Sequence, residues 1–564
     1  MRYNTFKRSF IPWVLLLLLV TCIAVPPWGD FPQNDDWVHA KAVQRQLEDL
    51  TGPYRGHPFC TSSLVGLVYW GALFARVFGF SFDTLRMSTL VLSFFLAWGV
   101  ALCGREAGLP RRLALLCGAI AWSSPIVLVL SYSFMLDVPF LTMTVLSGLF
   151  YLRALRTGKP GNIFWGSVFG GLGYAVRQPA LLVPIAYACT AGLICLRRRQ
   201  RPDWRRAAAF LAGLVLMLLL LAWLTRNRET GTAYAFEIQA TSVADGLLRS
   251  LRFGAIAMAY VGLFVAPLGI ARLWQLFRNQ EDNRGAACVF VALYTVASFA
   301  LFWYPGLCRM PFLPSNLYDL GLSPLTLHDV YIENRTWAPV QLGKWWWPIT
   351  LFAAVSGGLA LWSVTPVVRG LLKAGKAPRR RARRTHQGLF LFIWGGFLLG
   401  SLKNPWLWPH DRYFIAGIPP FLLLLATTLA WRKYAGIRRV AWLSAALVYA
   451  FSLAGTQDCM AWNRARWTAI DRLRNEHQVP LTSINGGYEF YGWYTSDDFM
   501  KEHHTTNFWD FFGDRDGRWV LDDTYVLGMI APRPGYEVFF RQPYFSWLGM
   551  ETREIYVFKR DTAE

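Results

Sequence analysis

The sequence predicts an all-α polytopic membrane protein of about thirteen transmembrane helices, with a small α/β domain at its C-terminus. Three observations carry this. Of the 564 residues, 54% are hydrophobic and 16% are charged, against ~25% charged in ordinary soluble domains; mean hydropathy is +0.28. Apolar runs alternate with short basic clusters along most of the chain. Residues 456–564 differ, with turn residues, charges and only short apolar runs. A disordered chain, a collagen-like fibre, a coiled coil and a row of soluble domains are excluded.

The net charge of +22 does not indicate nucleic acid, because the basic residues sit in loops between apolar runs, as the positive-inside rule expects. The densest cluster is Lys373, Lys376, Arg379, Arg380, Arg381, Arg383 and Arg384, without an acid. A cytoplasmic loop facing anionic lipid accounts for it.

Taken in order, Arg2, Lys7 and Arg8 precede an apolar run from Phe10 to Pro26. That run lacks a small-x-small cleavage site, so it reads as an uncleaved first helix with its N-terminus in the cytoplasm. Twelve further spans follow at 83–103, 112–131, 137–153, 162–176, 179–196, 206–225, 251–273, 287–305, 346–367, 388–402, 412–431 and 437–455. The apolar stretch 59–80 is read as an interfacial helix on the outer surface. Only then do the basic loops Arg105–Arg112, Arg153–Lys159, Arg197–Arg206, Lys373–Arg384 and Arg432–Arg439 all face the cytoplasm. The outer side then receives a first loop at 27–82, a turn at Ser133–Asp137, a loop at 306–345 and everything after 455. The domain division is 1–455 and 456–564. In the tail, Trp462–His477 reads as a helix, and Leu481–Ile484, Trp519–Leu521, Tyr536–Phe540 and Arg553–Lys559 read as strands.

Nine cysteines show no metal spacing. Cys117, Cys189 and Cys288 lie in apolar runs and are expected to pack in the core. Cys60, Cys308 and Cys459 fall outside, where one disulfide among them stays open.

Polar residues gather at one membrane boundary. Asn34-Asp35-Asp36-Trp37-Val38-His39-Ala40 follows the first helix; either acid could cap a helix start. Asp137, two residues before Pro139, has the same alternative. Arg177-Gln178-Pro179 and His410-Asp411-Arg412-Tyr413-Phe414 reach the same depth, where snorkelling explains a single arginine. It does not explain acids and arginines collected on one side. Carboxylates move protons and arginines grip phosphate bidentately, so together they suit a phosphate ester embedded in the membrane. His328, Asp329, Glu333 and Asp319 lie in the 306–345 loop without metal spacing, and Asn334-Arg335-Thr336 is a chance sequon. Ile484-Asn485-Gly486-Gly487-Tyr488-Glu489-Phe490 reads as a turn and packed strand, with a sugar-binding edge as the alternative.

These motifs resemble the GT-C superfamily of glycosyltransferases that use polyprenyl-phosphate sugars, in particular the bacterial protein-mannosyltransferase and aminoarabinose-transferase branch. The likeness lies in Asp35-Asp36-x-x-His39-Ala40, Asp137 after Ser-Tyr-Ser-Phe-Met-Leu, Leu149–Arg156, Tyr174–Pro179, and Arg412-Tyr413-Phe414 to Pro419-Pro420. It is good over residues 10–200, moderate over 387–430 and weak elsewhere. The resemblance implies an inverting transfer from a polyprenyl-phosphate sugar to an acceptor hydroxyl of a protein, lipid A or a polysaccharide. It implies a bacterial inner membrane with the site and tail in the periplasm. Asp35 would be the general base, Asp36 and Asp137 would orient sugar or acceptor, and Arg177, Gln178, Arg412 and His39 would hold lipid phosphate and sugar. A divalent cation, Mg or Mn, is left open. Asp36 replaces the family's usual Glu, and His57-Pro58-Phe59 replaces Lys-Pro-Pro, which removes one expected phosphate ligand. The rival class is a transporter or flippase of a lipid-linked saccharide. That class places ionisable groups near the midplane between inverted repeats, a pattern the sequence lacks.

Overall fold

A computed structural model describes residues 2–60, 64–201, 203–226, 243–278, 283–303, 309–318, 321–331, 333, 344–372, 379–401, 410–504 and 523–561. The chain runs through helices α1 (Arg2–Ala24), α2 (Asp36–Leu47), α3 (Val65–Phe78), α4 (Phe82–Glu106), α5 (Arg111–Ser123), α6 (Pro125–Ser131), α7 (Asp137–Thr157), α8 (Pro160–Tyr174), α9 (Leu182–Arg198) and α10 (Trp204–Leu224). It continues through α11 (Val243–Phe264), α12 (Ala266–Arg278), α13 (Arg284–Trp303), a hairpin of β1 (Leu317–Tyr318) and β2 (Gly321–Leu322), α14 (His328–Tyr331), α15 (Trp346–Trp362), α16 (Thr365–Leu372), α17 (Arg379–Gly400) and α18 (Ile418–Thr427). Last come α19 (Ala435–Asn475), β3 (Ile484–Asn485), α20 (Tyr488–Glu502), β4 (Tyr525–Gly528), β5 (Tyr536–Ser546) and β6 (Glu551–Arg560).

The protein is an all-α polytopic membrane protein with a small sheet near its C-terminus. Among the described residues, eight helices are long and apolar enough to cross a membrane, and the α5–α6 pair, bent by 66°, passes the same test only when its two helices are taken together. The bend falls at Ser124-Pro125, where proline removes a backbone donor and clashes with the preceding turn. The other four expected spans are present as helices but fail as simple crossings. α8 has 15 residues and α18 has 10, the apolar part of α1 is short, and α17 opens on arginines. A full crossing takes ~20 apolar residues.

Small residues set a close helix crossing. A Cβ on Gly262 of α11 would lie 2.0 Å from the Ala353 carbonyl of α15, and one on Gly357 would lie 2.5 Å from the Met258 carbonyl. Such contacts let two backbones touch. Leu219, Leu293 and Leu447 face outward, as hydrocarbon permits. Cys117 is in the core, but Cys189 and Cys288 are exposed on that outer surface, so two of the three expected core cysteines face outward. Helical phase, which the apolar run hides, decides this. Cys60 and Cys459 are free thiols; Cys308 lies outside the described residues.

Two expectations about the tail change. The break at 455/456 is absent, because α19 is one helix of 41 residues, ~60 Å long at 1.5 Å per residue. Its first half is apolar and its second half amphipathic, so a single rod leaves the hydrocarbon layer and carries the C-terminal sheet, of order β3-β4-β6-β5. The Tyr488 segment is helix α20, not a strand. Its first turn is buried all round, at Tyr488, Glu489, Phe490, Tyr491 and Gly492, and Ser496 is buried one turn further on. The expected strands at 536–540 and 553–559 are present within β5 and β6, residues 481–483 form a 3-10 turn ahead of β3, and 519–521 lie outside the described residues.

The first loop is largely helical. α3 has 14 residues, ~21 Å, too short to cross. Fully buried Arg86 on α4 pins the irregular segment before α2. Its guanidinium donates to the carbonyls of Pro27 (2.6 Å), Gly29 (3.0 Å), Phe31 (3.1 Å) and Tyr132 (2.8 Å) and to Asp83 (2.9 Å). A planar fork of five donors suits such a task.

Candidate active site

Asp35, Asp137, Arg177 and Arg412 meet at one end of the helix bundle although they come from four separate elements. Asp35 ends the segment held by Arg86. It occupies the N-cap position of α2, yet its side chain makes no capping bond. Instead Oδ2 accepts from Arg412 Nη2 at 3.2 Å and Oδ1 accepts from the Tyr488 hydroxyl at 2.7 Å. Asp137 opens α7 and pairs with Arg177 Nη1 at 3.0 Å. The two pairs share one aromatic wall, with Tyr413 4.0 Å from the Arg177 guanidinium and 5.7 Å from that of Arg412.

The three carboxylates differ in access. The Asp35 side chain is 33% exposed and that of Asp137 is 2% exposed, while Asp36 is buried. Burial works to raise the Asp35 carboxyl. The Arg412 charge and the Tyr488 hydroxyl outweigh it and hold Asp35 below the usual carboxylate range. At neutral pH it is therefore an ionised, reachable base. Asp36 points away: it accepts the backbone N–H groups of Gln33 (2.5 Å) and Phe134 (3.3 Å), and burial pushes its carboxyl well above the ordinary range. Here the backbone-holding alternative describes Asp36 and fails for Asp35 and Asp137.

Arg412 is 8% exposed. One of its nitrogens meets Asp35, while Nε and Nη1 are buried without a partner among the described residues, as is Asp137 Oδ2. Unpaired buried donors of a cation are costly, and at this place they form a ready anion grip with an acceptor oxygen beside it. His39 is buried; its Nδ1 lies 3.1 Å from the Phe134 carbonyl. Burial lowers it below the usual histidine range, so it is neutral, with Nδ1–H donating. Gln178 is exposed at the start of a 3-10 turn, and none of the cluster's bonds reaches it.

His57 does not replace the expected lysine. It packs edge-on against Trp37, with ring centroids 6.0 Å apart, and burial pushes it down to about 4. Among the described residues, no group of three or more His, Cys, Asp or Glu can hold a metal ion. His328 and Glu333 pair with each other at 3.1 Å; Asp319 and the Asn334 sequon lie outside the described residues.

Sequence reasoning missed a supporting network. Arg466 on α19 meets Glu489 on α20 at 2.8 Å, with side chains 0% and 1% exposed. Glu489 Oε1 accepts from Asn34 N (2.6 Å) and Thr326 Oγ1 (2.9 Å). Asn34 adopts a positive φ of 54°, and the residue after it is Asp35. Gly487 makes the approach feasible: its φ is +90°, and a Cβ there would lie 2.7 Å from the Thr326 carbonyl. Asp411, next to Arg412, accepts the N–H groups of Asn316 (3.0 Å) and Leu317 (2.7 Å). The only sequence signal was Gly-Gly followed by an acid among aromatics.

Residues 65–225 match the family model described as dolichyl-phosphate-mannose-protein mannosyltransferase. The GT-C resemblance holds over that segment. No curated protein matches the chain. Among solved structures, the chain is similar to the Archaeoglobus fulgidus oligosaccharyltransferase tethered with an acceptor peptide, at 12% identity and TM-score 0.45, covering 84% of this chain and 58% of that one. It is also similar to ArnT from Cupriavidus metallidurans, in the apo state (11% identity, TM-score 0.38, covering 99% and 98%) and bound to undecaprenyl phosphate (11%, TM-score 0.36, covering 99% of each). The chain thus spans under two thirds of the archaeal enzyme. At such distances the chemistry of the site is read from this chain's own residues.

Proposed function

We propose that this protein is a membrane glycosyltransferase that moves a sugar from a polyprenyl-phosphate donor to an acceptor hydroxyl. The observation that carries the reading is the pair of buried, unpartnered Arg412 donors beside the open, ionised carboxylate of Asp35. The donor phosphate lies against Arg412 and Arg177, and a sugar hydroxyl donates to Asp137 Oδ2. The acceptor oxygen attacks the anomeric carbon from the side opposite the phosphate and gives its proton to Asp35. The bond from anomeric carbon to phosphate oxygen breaks, and its electron pair stays with the phosphate. The phosphate gains charge as it leaves, where the arginine donors are already aimed. The anomeric centre inverts. No step runs through a cation.

Charge supports the orientation. The basic turns after α4, α7, α9 and α18 all lie at the end of the bundle away from Asp35, so that end faces the cytoplasm and the site faces the periplasm of a bacterial inner membrane. Protein, lipid A and polysaccharide hydroxyls remain the acceptor classes.

The test uses purified protein in lipid, a panel of labelled polyprenyl-phosphate sugars, and crude envelope extract as acceptor source. Wild type is expected to release polyprenyl phosphate from one donor, and Asp35→Asn to lose this. Equal turnover by both would refute the base. No turnover of any donor, with uptake of one across a sealed vesicle, would establish the transporter reading.

A further inference from the structure

The opposite end of the bundle holds a second basic centre. α4 and α7 start beside the transfer site and finish at Glu106 and Thr157. A cavity of about 670 Å³ opens there between the α4–α5 turn, the α15–α16 corner, the start of α17 and the end of α18. Its wall carries Arg369, Arg381, Arg384, Arg432 and Lys433 and, among the described residues, no acidic one. The acid of the neighbouring turn, Glu106, is committed elsewhere, to Arg153 (3.0 Å) and Arg156 (2.6 Å).

The rest of the lining is of a different kind. Leu113, Leu391 and Trp431 are buried apolar groups. The amide of Gln387 is already bonded to the carbonyls of Glu106 (3.0 Å) and Leu152 (3.2 Å). Cations line the rim and hydrocarbon lines the base. α16, which forms one edge, exposes Val368 (47%) and Leu372 (78%). Such side chains belong against lipid, which puts the mouth of the cavity at the bilayer interface.

Like charges gathered around one space repel, by about 1 kcal/mol per pair at 4 Å in water and more in a drier setting. The arrangement calls for an anion with apolar substituents. A soluble anion would leave the apolar base unused, whereas a lipid phosphate fills both parts. Basic pockets between helices on the cytoplasmic side suit anionic headgroups for this reason, and guanidinium forks grip phosphate oxygens in pairs.

We propose that this cavity binds the phosphate headgroup of an anionic phospholipid from the leaflet opposite the transfer site, independently of the sugar chemistry. The test is native mass spectrometry of delipidated full-length protein titrated with phosphatidylglycerol, phosphatidylcholine or inorganic phosphate. The variant is Arg381→Gln/Arg384→Gln/Arg432→Gln; these side chains are exposed, so thermal unfolding should match wild type. The control is Arg205→Gln/Arg206→Gln, exposed at the same end of the bundle but off the cavity. Wild type is expected to prefer phosphatidylglycerol, and the triple variant to lose about 100-fold, at ~1 kcal/mol per basic residue and tenfold per 1.4 kcal/mol. The control is expected to stay within about threefold. Equal binding of both lipids, unchanged affinity in the triple variant, or an equal loss in the control would each overturn the proposal. Tighter binding of inorganic phosphate than of lipid would make this a site for the free ion and overturn it also. If the triple variant melts early, the single variants Arg381→Gln and Arg384→Gln carry the same test, with about fivefold loss each expected.

Discussion

Replacing Tyr488 by Phe removes one hydroxyl and leaves the ring packed near Trp37, with ring centroids 6.2 Å apart in the native protein. The lost bond is short, 2.7 Å to Asp35 Oδ1, and its acceptor is charged. Hydrogen bonds to charged groups contribute roughly 1.5–3 kcal/mol, equivalent to about 1–2 units of carboxylate pKa at 1.36 kcal/mol per unit. The Asp35 side chain is 33% exposed, so solvent takes over part of the bond, and the expected shift is about 0.5–1 unit. Its sign is upward, because the hydroxyl favours the ionised form. A base must be ionised to work, so the acid limb of kcat/KM moves to higher pH by that amount. The assay is kcat/KM against pH for wild type and Tyr488→Phe, using the donor found in the panel. On the residual turnover of Asp35→Asn the Tyr488 change is expected to have no further effect, since both act through one group. Coincident acid limbs, or a limb displaced to lower pH, would refute the argument that Tyr488 holds the base ionised.

Arg412→Lys keeps the charge and loses the fork with its free Nε and Nη1. Removing one such transition-state donor costs ~100-fold or more, so kcat/KM should fall at least that far while the melting temperature stays near wild type. Asp36→Asn leaves one of two backbone N–H groups without a good acceptor, a loss of about 1–3 kcal/mol, seen as earlier thermal unfolding with turnover per folded molecule within about threefold. Burial raises the folded-state pKa of Asp36 above its unfolded value. Its contribution is therefore full at low pH and fades as pH rises through the folded value, so the deficit of the Asn variant should be larger at pH 4 than at pH 8. Glu489→Ala leaves Arg466 buried and uncompensated, which costs about 3–5 kcal/mol. It should lower both the melting temperature and the turnover, because Asn34 loses its anchor as well.

The membrane fold was legible because composition and charge placement act on the whole chain. Helical rows carry the apolar runs, and basic turns mark one side whatever the detailed packing. Asp35, Asp137, Arg177 and Arg412 were legible for a related reason: an ionisable group at a hydrocarbon boundary is costly and stands out against its surroundings. Asp36 looked identical to Asp35 in the sequence. Only backbone geometry separates them, since the Gln33 and Phe134 N–H groups converge on one acid and an arginine meets the other. Gln178 was selected by adjacency to Arg177, and adjacency along an irregular turn does not fix direction.

The C-terminal segment was the hardest to read, and the reason is physical. Tyr488 and Asp35 are 453 positions apart, and no local periodicity encodes such a contact. The division at 455/456 rested on a fall in hydropathy, yet hydropathy reports the medium around a helix and not its continuity. α19 crosses that fall without a break and brings Arg466 to the level of Asp35. The tail therefore supplies the second bond to the proposed base and the anchor of the residue before it. A truncation at 455 would remove Tyr488, Glu489 and Arg466 together. Its expected effect is loss of transfer even if the remaining helices insert, measurable as wild-type membrane integration with no release of polyprenyl phosphate. Full transfer by the truncated chain would show that Asp35 is positioned by Arg412 and Arg86 alone.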